Sequence, residues 1–97
     1  MKTATVESRP EIEYPKDGET IVSPEYTVRI AGPEAAEAVD VSIDQGPWRA
    51  CRKEVGYWWY DWSGYDEGDH EIIARTLGSN GRWRMSVPRE LLVAAKP

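Results

Sequence analysis

The chain has 97 residues, with 17 Asp and Glu against 12 Lys and Arg for a formal charge of -5. That length holds one domain with little volume for a deep catalytic pocket, and the acidic balance disfavours nucleic acid, whose binders need surplus cations. No apolar run approaches the roughly 18 residues of a membrane span, and one Cys beside one His leaves neither an intrachain disulfide nor a zinc cluster to assemble.

Residues 1–9 are polar and aperiodic and are expected to form a flexible leader, with residues 10–97 as a single domain. From Pro10 to Tyr14, Ile12 and Tyr14 alternate with Glu11 and Glu13, the pattern of a short edge strand opened by proline. Pro15-Lys16-Asp17-Gly18 is a turn, and Thr20 to Val22 a second short extended piece. Glu25 to Ala31 places Tyr26, Val28 and Ile30 on one face of a strand. Gly32 to Ala38 is too short for a stable helix and is expected to be a loop or a single turn.

Val39, Val41 and Ile43 alternate with Asp40, Ser42 and Asp44, the clearest strand in the chain. Asp44-Gln45-Gly46 predicts a hairpin connection with glycine at a bulge, and a return strand from Pro47 through Trp48 to Arg52. Val55 to Trp62 follows as a strand with Trp58, Tyr60 and Trp62 on one face and Tyr57, Trp59 and Asp61 on the other. After a polar loop, His70, Ile72, Ala74 and Thr76 share a face opposite Glu71, Ile73, Arg75 and Leu77. Gly78-Ser79-Asn80-Gly81 predicts a hairpin into Trp83, Met85 and Val87, and Pro88 interrupts that strand before Leu91 to Ala94. About seven short strands with turn signals every ~8–12 residues predict an all-β, antiparallel immunoglobulin-like sandwich, with a small closed barrel as the competitor.

The run Val39 to Ala50, with Val41-Ser42-Ile43-Asp44-Gln45-Gly46 leading into Trp48, resembles a recurrent signature of bacterial immunoglobulin-like domains of the early-set type. The resemblance continues through Trp58, Tyr60 and Trp62, then Gly68, His70, Ile72, Ala74 and Arg75, then Asn80-Gly81, and spans nearly the whole chain. It is most similar to the small sandwich that serves as the dimerisation domain of sulfite-oxidase-type molybdenum enzymes. It is also similar to immunoglobulin-like modules attached to bacterial surface enzymes. The resemblance implies a non-catalytic module that mediates association, with no molybdenum site, since that metal belongs to a different domain. Gln45 stands where relatives carry the first glycine of a pair, and Leu77-Gly78 where many carry Ala-Thr-Asp.

Candidate sites are few. His70 invites a catalytic reading, but without a partner nucleophile or a second carboxylate it is expected to be a hydrogen-bonded corner residue. Asp61, Asp66, Glu67 and Asp69 lack the ligand spacing of a calcium loop and are expected to be solvated. Cys51 has cationic neighbours Arg49, Arg52 and Lys53 that would activate a thiol, yet a lone Cys is more often an apolar filler.

The aromatic strand is the strongest signal, because it is aromatic on both faces. Trp58, Tyr60 and Trp62 suffice for a core, with Trp48 and His70 as further structural residues. Tyr57 and Trp59 must then meet a segment of the same chain, a partner or a ligand. Ile73 and Leu77 add apolar area, and Arg75, Arg82 and Arg84 frame it, in a composition typical of binding hot spots. The expected function is a protein-interaction or self-association module, with a protein partner or homodimer and neither nucleic acid nor membrane. The alternative is a carbohydrate-binding module that stacks sugars on Trp59 and Tyr57, which requires two exposed, coplanar rings. No enzyme activity, cofactor or metal is expected. With no charged and apolar leader at the start and a free thiol, the cytoplasm is the expected location unless the chain is a piece of a secreted protein.

Overall fold

The structure, a computed structural model, describes residues 9–95, so the leader expected over residues 1–9 lies almost wholly outside the described residues. Ten strands follow in order: β1 Glu11–Tyr14, β2 Glu19–Ile21, β3 Glu25–Ala31, β4 Ala38–Ile43, β5 Arg49–Ala50, β6 Arg52–Glu54, β7 Tyr57–Ser63, β8 Gly68–Leu77, β9 Trp83–Met85 and β10 Arg89–Val93. They form two sheets packed face to face. The first has the order β1-β3-β7-β6, and the second β2-β10-β8-β4-β5 with β9 added beside β8. The architecture is therefore the all-β sandwich rather than the barrel. One pair, β2 with β10, is parallel, and the other pairs are antiparallel.

The strand count exceeds seven because segments that look continuous in sequence break in space. The expected return strand from Pro47 to Arg52 divides at Cys51. Ala50 still pairs with β4 in the second sheet, whereas Arg52 already pairs with β7 in the first. The Cys51 amide bonds the Val39 carbonyl at 2.8 Å and pins the crossing point. Pro88 separates β9 from β10 in the same way, and both pieces lie along one side of β8.

Alternation in β3, β4, β7, β8 and β10 fills the space between the sheets. Val28, Ile30, Val39, Val41, Trp58, Trp62, Ile72, Ala74, Leu91 and Val93 are buried there with Ile12 and Ile21, and Tyr60, Tyr26 and Cys51 pack against them. Two hairpins are two-residue turns with both central residues at positive φ, the handedness that matches strand twist. Asp44 and Gln45 (φ 54° and 61°) form the first, closed by Gly46 N–H to Ile43 O at 2.9 Å. The left-handed backbone falls on Asp44 and Gln45, not on Gly46. Val55 and Gly56 (φ 46° and 82°) form the second, between the paired Glu54 and Tyr57.

Candidate functional site

Strand register decides which residues share a surface, and it separates the predicted site residues into two groups. On the first sheet, Tyr57 and Trp59 point outward, opposite Glu54 and Arg52 of β6. Arg29 of β3 reaches between rings, its guanidinium carbon 4.5 Å from the Tyr57 centroid and 4.7 Å from that of Tyr14. It also pairs with Glu13 at 2.8 Å. Trp59 donates its indole N–H to the Glu54 carbonyl at 2.9 Å. Arg52 pairs with Asp61, whose carboxyl it holds below the usual range by that hydrogen bond, and with Glu54. This face is a lattice of aromatic rings and mutually paired charges.

Ile73 and Arg75 lie on the outer side of the second sheet, across the sandwich from Tyr57 and Trp59. The single patch expected from Tyr57 to Arg84 therefore does not form, because both strands present outward residues but to opposite sides of the molecule. On this second face Arg75 is the centre. Its Nε and Nη2 meet one oxygen of Asp40, directly opposite on β4, at 3.0 and 2.9 Å. Its guanidinium carbon lies 4.3 Å from the Trp48 ring centre and 3.9 Å from that of Trp83, so two indoles clamp one cation.

Trp48, expected to be structural, is not part of the buried core. It precedes Arg49, which pairs with inward-facing Val41, so alternation turns the indole outward. Trp83 pairs with Leu77 and Met85 with Arg75, which sets both on the same outer face, 39% and 51% exposed. Val87 follows at 72%. Arg84 pairs with buried Thr76 and so shares the inner side of β9, turned away from the patch it was expected to frame. Arg82 stands exposed in the turn before β9.

Trp83, Met85 and Asp40 were not anticipated as site residues. The signal was present in the five residues between Leu77 and Trp83, a loop length that returns Trp83 to Leu77's face.

His70 lies beneath the other end of this sheet, its side chain 10% exposed and edge-on to Trp62 at 5.2 Å. Its Nδ1 donates to Asp44 Oδ2 and its Nε2 to the Asp66 carbonyl, both at 2.6 Å. Burial alone lowers its pKa, but the Asp66 carbonyl and the Asp44 carboxylate outweigh this and raise it above 6.5. An open cleft of about 590 Å³ beside it is lined by Gly18, Asp44, Asp69, Glu71, Glu90 and Leu92. Among the described residues no three His, Cys, Asp or Glu side chains are grouped to hold a metal. Cys51 is partly buried, and burial first, then Asp40, pushes its thiol up to about 12. Arg52 and Lys53, adjacent in sequence, are turned to Asp61 and to the Trp58 ring.

No protein-family model matches the sequence, and no curated protein does. Solved structures do match. An endo-β-1,4-mannanase from Thermotoga petrophila aligns over 96% of this chain at 17% identity with a TM-score of 0.77. The fibronectin(III)-like modules of Clostridium thermocellum CbhA align over 91% at 16% identity and 0.76, covering 98% of the module chain. A modular endo-β-1,4-mannanase from Cellulomonas fimi aligns over 94% at 22% identity and 0.71. The chain spans about a fifth of the two mannanases, 21% and 19% of their lengths. These likenesses establish an immunoglobulin-like β-sandwich fold.

Proposed function

We propose that this domain is a non-catalytic immunoglobulin-like module that docks a protein surface through the outer face of its second sheet, around Trp48, Arg75 and Trp83. One observation carries the reading: a guanidinium held between two indoles and a carboxylate on the outside of a sandwich, bordered by exposed Met85 and Val87. Trp and Arg dominate interface hot spots, and a side chain already fixed in place loses little entropy on binding. Burial of this apolar area, at about 25 cal/mol per Å² removed from water, supplies affinity. The first sheet's face is the poorer surface, because Tyr57 and Trp59 are half-buried, whereas Met85 and Val87 on the second stand well exposed. The partner type that fits is a second copy, as the resemblance to dimerisation domains implies.

Sedimentation velocity and cross-linking at micromolar concentration test it. Association should be lost in Trp83→Ala and Arg75→Ala but kept in Tyr57→Ala. A strict monomer that cross-links to nothing, or a Trp83→Ala variant that associates as wild type does, rejects it.

The matched mannanases and the exposed ring of Trp83 give a glycan reading one foothold. Tyr57 and Trp59 give it none, since their rings meet edge to face at 73°. Tryptophan fluorescence on titration with β-1,4-mannan oligosaccharides should stay unchanged; a saturating shift that Trp83→Ala abolishes would replace the protein partner with a sugar.

A further inference from the structure

We propose that His70 is a proton-operated latch on the docking face: its doubly protonated ring ties the Asp44 turn to the loop before β8, and loss of one ring proton releases the turn that leads into Trp48. The geometry requires two donors. A carboxylate oxygen and a backbone carbonyl oxygen both only accept, so Nδ1 and Nε2 must each carry hydrogen for the contacts to Asp44 and Asp66 to exist together. A neutral imidazole keeps one hydrogen and sets a lone pair against the other oxygen.

Asp44 is the more exposed side of the latch, its side chain 46% exposed on a turn with positive φ. Its second oxygen accepts the Glu71 amide at 2.9 Å, and its own amide bonds the Glu71 carbonyl at 2.8 Å, so the carboxylate anchors the turn to β8. Four residues further on stands Trp48, one jaw of the clamp on Arg75. Asp66, at the other nitrogen, belongs to the loop that sets Tyr65 against Trp62, with ring centres 4.1 Å apart.

The charged groups around the ring are acids. Asp44 of the turn and Asp66 of the loop act on it directly, the Tyr65 ring centre lies 6.4 Å away, Asp69, Glu71 and Glu90 line the cleft beside it, and Glu67 follows in the loop. Arg89, the cation of β10, is turned to the Pro15 carbonyl at 3.1 Å. Burial opposes the cationic ring, and the contacts to Asp66 and Asp44 outweigh it and hold the second proton above the ordinary 6.5.

The regulatory half of the proposal rests on the docking reading; the titration of the latch does not. The test follows the His70 ring by NMR from pH 5 to 9, with hydrogen exchange of the Glu71 amide, which donates to Asp44, and the resonance of fluorinated Trp48. The ring midpoint should lie above 6.5 and fall in Asp44→Asn, a variant that suits a left-handed backbone position. Protection of the Glu71 amide should fall, and the Trp48 resonance should move, through that same midpoint, and neither should change with pH in His70→Gln. A midpoint at or below 6.5, amide protection that ignores the midpoint, or a stationary Trp48 resonance overturns the latch. If these titrations hold while Trp83→Ala leaves association untouched, the docking reading fails and the latch stands.

Discussion

The hydroxyl of Thr76 is buried with no hydrogen-bond partner among the described residues, on a side chain 2% exposed. A buried hydroxyl without a partner costs roughly 1–3 kcal/mol, and Val has the same shape without it. Thr76→Val should therefore stabilise the domain by about 1 kcal/mol, seen as a higher urea midpoint at unchanged slope; a lower midpoint would mean that the hydroxyl is satisfied. Cys51 shows why single-residue chemistry was only half legible. Its cationic neighbours in sequence set an activated thiol against the apolar filler expected there, yet successive side chains of an extended chain point apart. The charge that reaches the sulfur is Asp40, from another strand, and it acts in the opposite sense. Sequence adjacency names neighbours along the chain, whereas a pKa answers to neighbours in space.

Single strands were legible from alternation, as β3, β4 and β8 show, and β7 makes the point most sharply because both of its faces are aromatic. Trp58→Ala removes an indole from the core and should cost about 3–5 kcal/mol, a large share of the stability of a small domain. Trp59→Ala, one position on, gives up one hydrogen bond and an edge contact and should cost about 1 kcal/mol. Chemical denaturation of the two variants checks the contrast, and equal losses would refute the assignment of faces. Alternation does not say which strands share a sheet, so Tyr57 and Ile73 both read as outward although they lie on opposite sides of the molecule. The β6–β7 hairpin was missed for a related reason: its turn is Val55-Gly56, and a β-branched residue gives no signal for positive φ. Val55 is 85% exposed and contributes little packing, so Val55→Asn should stabilise by about 1 kcal/mol through relief of backbone strain. A fall in melting temperature would count against it.

At the scale of the whole molecule, His70 couples elements that alternation treats separately. Its ring meets Trp62 of the first sheet edge-on, stands on β8 of the second, and joins the β4–β5 turn to the loop that connects the sheets. Its effect on stability therefore belongs to the fold as a unit. The folded ring holds its proton above 6.5, the value in an unfolded chain, so folding takes up a proton wherever the two states differ. The stabilisation is complete below pH 6.5 and is lost as pH rises through the folded midpoint, since the native state is the one that binds the extra proton. Melting temperature should thus decline from pH 6 towards pH 8.5, against a nearly flat profile for His70→Gln. That variant should melt lower than wild type at pH 6 and approach it at pH 8.5, where neither carries the imidazolium. A wild-type profile that rises over this range would assign the opposite sign to the folded pKa, and with it would remove the two-donor description of His70.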